Sequence, residues 1–394
     1  MRRLSPARPL IPIAVLALTV GASAPSARAG DALRYDVRVE LGGEYDDNAH
    51  RAEVVQGVAD QPPVVGSPLA RAAVGGRLTD IIARGQQLAL SATLAGKVFT
   101  AAGARTEDVA IADSSARWRL SLGAATGLAA QLVYYEAFQR QSDDPATAAD
   151  RRDFRSLTPA LYLDRHLTDS TVLVAGAAYR TFTFKSDLDF DFQAPSGSLD
   201  VRWSRDGAGS DDESGGGGAD WEISGGASVE QRSFAGAALP ATGAVTAATP
   251  RRSDTFVLGH LEVTRVGALL AGAGYALQIN RSNSYGETLT RHVATLRLAA
   301  ALPLQCYLAA RAELIFAHYR DPVAIGRVST NGTLLSIDNE NRSSLRVEVS
   351  RVLSPRWLLL GRYTVYANEI GVSSAVAHYR RQTALLALAF TFER

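Results

Sequence analysis

The sequence predicts an all-β chain, a transmembrane antiparallel up-and-down β-barrel of about 16 strands. Three observations predict it. Apolar and charged side chains alternate over segments of about ten residues. Short and long connections alternate between the segments. Beyond the first 29 residues, no apolar run has the roughly 20 residues that a spanning helix needs.

The first segment is read separately. Arg2 and Arg3 precede the apolar run Ile11–Val20, and Ala27-Arg28-Ala29 supplies a small-x-small pattern before Gly30. That order predicts a signal peptide over residues 1–29, removed on export. The barrel is expected over 30–394. Without the four arginines of the leader, 37 basic and 40 acidic side chains remain, a net charge of −3. Such a balance excludes the basic footprint of a nucleic-acid partner. The single cysteine, Cys306, excludes a disulfide framework and a cysteine-rich zinc site.

The strands follow in order. In the first, near 33–45, Leu33, Tyr35, Val37, Val39, Leu41 and Tyr45 share one face, and Arg34, Asp36, Arg38, Glu40 and Glu44 the other. In 87–99, Leu88, Leu90, Leu94 and Val98 oppose Gln87, Ser91, Thr93 and Lys97. In 110–122, Trp118, Leu120 and Leu122 oppose Arg117, Arg119 and Ser121. The same period marks 70–82, 128–138, 155–164, 171–184, 196–204, 221–233, 253–264, 269–280, 290–301, 306–318, 343–352, 357–367 and 378–392. Short turns are expected at 83–86, 123–127, 165–170, 265–268, 302–305 and 353–356. Long loops are expected at 46–68, 100–108, 139–153, 185–195, 235–252, 282–288, 319–341 and 368–377. The stretch 205–220 falls where a short turn is due, and its Asp-rich and Gly-rich composition predicts a flexible insert.

Periodicity alone fits a soluble sandwich as well, with the oily face hidden rather than turned to lipid. Strand length, the turn and loop alternation and the final segment favour the barrel. That final segment, Arg381–Phe392, carries Ala384, Leu386, Leu388, Phe390 and Phe392 on one face. Tyr45, Trp118, Tyr134, Trp203, Tyr275, Trp357 and Tyr379 are candidates for the interfacial aromatic girdles.

The closing strand resembles that of bacterial outer-membrane barrels, whose last residue is typically a Phe recognised by the barrel assembly machinery. Phe392 matches it, with the departure that Glu393 and Arg394 follow. The segment Gly43-Glu44-Tyr45-Asp46-Asp47-Asn48 resembles the end of the first strand in porin-like barrels of the beta-barrel porin 2 type. Some of those are associated with exopolysaccharide secretion, and surface lipoprotein assembly modifiers open similarly. The resemblance implies an outer-membrane location, surrounding outer-membrane lipid and assembly by that machinery.

Catalytic groups are sparse. The six histidines His50, His166, His260, His292, His318 and His378 are scattered, and His260 with Glu262 is the nearest approach to a pair. No Ser-His constellation and no acidic cluster with His is evident, so an enzyme is not expected. Asp143-Asp144 and Asp211-Asp212-Glu213 lack the spaced carboxylates of a calcium loop and are expected to be solvated. No cofactor and no metal is expected.

What remains is the polar phase: Arg34, Asp36, Arg38, Glu40, Lys97, Arg117, Arg119, Asp200, Arg202, Glu262, Arg297, Arg311, Glu313, Arg346, Glu348 and Arg362. In a ring of about 16 strands these side chains would line an aqueous lumen, and opposed charges there would tune solute passage. Mixed charges along one wall are also expected to pair with each other. The expected role is passive passage of small polar or saccharide solutes. The alternatives are an accessory barrel for export of a surface polysaccharide or lipoprotein, and a barrel enzyme.

Overall fold

Period-2 patterning produces 16 long strands in the structure, a computed structural model that describes residues 33–50, 54–55, 64–139, 153–185, 188–205, 220–242, 244–321, 342–372 and 375–393. The strands are β1 Arg34–Asp46, β2 Ser67–Ala83, β3 Gln86–Phe99, β4 Val109–Ser121, β5 Thr126–Gln139, β6 Phe154–Thr168, β7 Thr171–Phe184 and β8 Phe192–Arg205, then β9 Asp220–Ala237, β10 Arg251–Val266, β11 Leu269–Ser282, β12 Leu289–Leu302, β13 Cys306–Tyr319, β14 Ser343–Ser354, β15 Trp357–Val372 and β16 Ala375–Glu393. Each pairs antiparallel with the next. The ring closes where β1 meets β16, in register from Asp36 opposite Glu393 to Asp46 opposite Thr383. Closure leaves no unpaired strand edge, the condition for backbone to cross hydrocarbon.

The face test separates a barrel from a sandwich. Leu41 is 59% exposed while Asp46, five residues on and in the opposite phase, is fully buried. Leu94, Leu161, Leu261, Leu296 and Leu386 are likewise exposed on their strands, and Glu44, Lys97, Asp254 and Arg381 are buried. Apolar-out and charged-in is the inverse of a soluble core, and it is what lipid requires of a barrel. Strands of 12 to 19 residues exceed the roughly 9–11 needed for a tilted crossing.

Short turns gather at one end of the ring (the turn end) and long connections at the other (the loop end). The β12–β13 turn holds two consecutive left-handed residues, Leu304 and Gln305, with φ of 62° and 57°. At the loop end the expectation for 368–377 is corrected. The β15–β16 ladder runs on through Asn368 opposite Tyr379 to Val372 opposite Ala375. Asn368-Glu369 and Ser373-Ser374 suggested a loop there, but backbone pairing in a ladder does not depend on an unbroken apolar face. Val54–Val55, in the β1–β2 connection, pairs with Ala377 and His378 of this extension. Arg205 and Asp220 belong to strands, and Trp221 is opposite Arg205. The rest of the expected insert, 206–219, lies outside the described residues, as do the leader, 322–341, Asp143-Asp144 and Asp211-Asp212-Glu213.

Candidate functional site

Charged side chains on the inner face reach over their neighbours. Arg119 on β4 donates to Asp164 on β6 at 2.8 Å, passing over β5. His260 on β10 and Asp200 on β8 are 3.4 Å apart across β9. Arg297 on β12 stands 2.9 Å from Glu262 on β10, and Lys97 on β3 donates to Glu44 on β1 at 2.8 Å. Strands two apart are separated by about 9.5 Å, so such pairs form on the concave side, over small residues. Gly226 faces both Asp200 and His260 in register. A Cβ on Gly127 would lie 2.7 Å from Asp164 Oδ1.

Exposure changes along the barrel. Toward the turn end several inner charges are wet, the side chains of Arg297 and Arg311 being 46% and 52% exposed, although Asp164 there is buried. Toward the loop end Glu40, Glu44, Asp46, Arg71, Lys97, Arg232, Arg252, Asp254, Arg291 and Arg381 are all buried. Three connections account for much of this. Ala49 after β1 and Ala104 before β4 pack on Leu69 and Phe99. His50 is joined to Glu107 at 3.5 Å, and Gln139 Nε2 donates to the Thr106 carbonyl at 2.9 Å. Between β7 and β8, Phe190 meets Phe184 edge-on, and a Cβ on Gly236 would lie 2.5 Å from Asp189 Cβ. The lumen therefore narrows at the loop end.

One wall of the narrow part is aromatic. Tyr135, Phe154, Phe182, Phe192 and Phe234 come from five consecutive strands, β5 to β9, with neighbouring ring centroids 4.8 to 5.3 Å apart. Each contact of this kind contributes about 0.5–1.5 kcal/mol beyond burial. All five are buried, so the stack is a rigid wall rather than a surface open to solute. Guanidinium groups cover it: Arg180 lies 5.2 Å and Arg232 5.5 Å from the centre of Phe192, and Arg252 lies 4.2 Å from that of Phe234. The sequence signal for this wall was an aromatic in the inner phase within a few residues of a long connection.

Most of the sequence candidates meet partners. Arg38 contacts Glu40 at 3.4 Å, and Glu40 also contacts Arg71 at 3.4 Å. Arg311 pairs with Glu313 at 3.0 Å, and Arg362 donates to Glu348 at 2.8 Å. Arg117 lies 5.7 Å from the Tyr162 ring centre. Arg297, Arg311 and Arg346 are register-paired in a row across β12, β13 and β14. Arg34, Asp36 and Arg202 are exposed near the turn end. His260 and Glu262, read as a couple, have separate partners in Asp200 and Arg297. Of the girdle candidates, Tyr379 is corrected: it is buried, with the Arg342 guanidinium 3.4 Å from its ring centre. The polar phase is also not uniformly polar, since Leu360, Leu385 and Ala387 form a buried inner cluster. Among the described residues no group of three or more His, Cys, Asp or Glu could hold a metal ion.

No protein-family model matches the chain, and no curated protein matches it. In backbone outline it is similar to the anion-selective porin from Comamonas acidovorans, at 10% identity and a TM-score of 0.48, over 92% of this chain and 99% of that one. It is similar to Pseudomonas aeruginosa OpdQ at 8% identity and a TM-score of 0.44, over 92% of this chain and 98% of that one. It is similar to the unliganded ferric citrate transporter FecA at 10% identity and a TM-score of 0.40, over 91% of this chain. The chain spans 56% of the length of FecA. These are likenesses of barrel outline.

Proposed function

We propose that the protein is a bacterial outer-membrane channel for passive passage of small polar or saccharide solutes. The observation that carries this reading is the closed ring with apolar side chains outside and half-exposed, ion-paired charges inside. In this reading residues 1–29 are a cleaved leader, and the barrel assembly machinery inserts the mature chain into outer-membrane lipid. The inner charges named from the sequence line the passage, and no cofactor or catalytic step is involved. Planar-bilayer recording on purified protein tests it: discrete conductance steps are expected, and a barrel that inserts without conducting overturns it.

The packed loop end favours a second reading. An accessory barrel for export of a surface polysaccharide or lipoprotein would rest closed until a partner opened it. In that case the isolated barrel is silent, and conductance appears only with a co-purifying periplasmic protein.

A further inference from the structure

Two arginines stand on the outer surface of the barrel at its turn end, with an indole between them. Arg205 closes β8, Arg265 lies near the end of β10, and Trp221 on β9 is opposite both in register. All three are exposed, in the same outward phase as the exposed Leu199, Val201, Ile223 and Leu261. Strands two apart are separated by about 9.5 Å, so the two arginines flank the ring. The Arg265 guanidinium lies 6.0 Å from its centre. Asp220 and Glu222, on either side of Trp221, fall in the inward phase. The inner-face arginines Arg119, Arg297 and Arg362 each meet a carboxylate, whereas Arg205 and Arg265 meet none among the described residues. Beside this row is an open recess of about 450 Å³, lined by Asp169 and Ser170 of the β6–β7 turn with Trp203, Ser204 and Arg205. Asp169 is the one carboxylate in that lining.

At the edge of hydrocarbon an arginine lays its stem on apolar surface and keeps its head in the polar layer. A head without a protein carboxylate has its charge left for lipid headgroups, and its planar donors match phosphate oxygens. Basic side chains clustered at a membrane surface attract anionic lipid. Leu199, Val201, Ile223 and Leu261 continue from the row toward the bilayer centre, where acyl chains lie. A free phosphate ion would use the arginines but not this apolar strip. We infer that Arg205 and Arg265, on either side of Trp221, form a site on the barrel exterior for the headgroup of an anionic phospholipid. The inference rests on the barrel's standing in a bilayer and holds whether or not it conducts.

The experiment is native mass spectrometry of the full, detergent-solubilised protein, titrated with dioleoyl phosphatidylglycerol and, separately, with dioleoyl phosphatidylcholine. Phosphatidylglycerol is expected to bind saturably and at least about fivefold more tightly than phosphatidylcholine. Arg265→Gln is expected to weaken its binding about fivefold, and Arg205→Gln with Arg265→Gln at least about tenfold. Arg251→Gln, at the loop end of the same strand β10, leaves it unchanged. Heat-modifiable migration on gels reports that each variant is folded, and Arg265→Gln alone carries the test should the double variant not fold. Equal binding of the two lipids overturns the inference. Undiminished phosphatidylglycerol binding in the folded variant also overturns it, as does an equal loss in Arg251→Gln. Bilayer recording alongside keeps the two readings apart: conductance without lipid preference removes the site alone, and lipid preference without conductance removes the channel alone.

Discussion

Asp200 and His260 stand 3.4 Å apart although a whole strand lies between them, and the residue both face on that strand is Gly226. The glycine is a steric necessity. A Cβ there would lie 2.3 Å from Asp200 Oδ1 and 2.6 Å from the Leu199 carbonyl oxygen, and the latter is backbone that cannot swing aside. Gly226→Ala is therefore expected to destabilise the barrel by about 1–3 kcal/mol. Gly259→Ala, where an added Cβ meets nothing within 4 Å, is expected to be near neutral. Urea unfolding in detergent, followed by tryptophan fluorescence, compares the two. Equal midpoints would remove the steric argument.

The closure of the ring carries a second prediction. Arg381 Nε on β16 donates to both carboxylate oxygens of Asp46 on β1, at 2.9 and 3.0 Å, and both side chains are buried. Asp46 also accepts from the Asn48 backbone at 3.0 Å, fixing the exit of the chain from β1. Asp46→Ala removes the buried carboxylate from the guanidinium and is expected to cost about 3–5 kcal/mol. The double variant Asp46→Ala with Arg381→Met removes the buried charge as well and should recover part of that loss. A double variant no more stable than Asp46→Ala would show that the charge is not what the pairing compensates.

The strands were legible because a period of two is a local property: Leu41 and Glu40 declare opposite faces without reference to anything else in the chain. Which charges meet was not legible. His260 shares its strand face with Glu262, but its partner is Asp200, some 60 positions away, brought near only by the register of β8, β9 and β10. The aromatic wall was hidden for a related reason. Phe154 or Phe234 alone in a charged phase is an irregularity, and only adjacency of five strand ends makes it a stack. The β15–β16 extension was missed because Asn368, Glu369, Ser373 and Ser374 interrupt the apolar pattern there, and polarity reports solvent rather than backbone pairing.

Backbone strain at the turn end gives a third prediction. Leu304 and Gln305 both have positive φ, a conformation that costs a residue with a Cβ about 1–2 kcal/mol. Gln305→Gly relieves it and is expected to raise stability by up to about 1 kcal/mol after the greater freedom of glycine in the unfolded chain is counted. Arg356→Gly, in the β14–β15 turn where φ is ordinary, should lower stability. The order of the two unfolding midpoints is the test.

The loop end offers a pH-dependent contact. His50 follows β1, Glu107 precedes β4, and the hydrogen bond that the imidazole donates to the Glu107 carboxylate raises it above its ordinary 6.5, against the opposing effect of burial. A raised folded value means that the pairing contributes fully below about pH 6.5 and is lost as pH rises through the folded value. The segment Ala102–Glu107 contains Arg105, so trypsin reports its release. Cleavage after Arg105 is expected to accelerate between pH 6 and pH 8 in the wild-type protein relative to His50→Gln, whose ratio removes the protease's own pH dependence. The ring protons of His50 should titrate above 6.5 and fall back in Glu107→Gln. A wild-type to variant cleavage ratio that stays flat across this range would mean that packing of Ala49 and Ala104 on Leu69 and Phe99, rather than the charge pair, holds these two connections over the lumen.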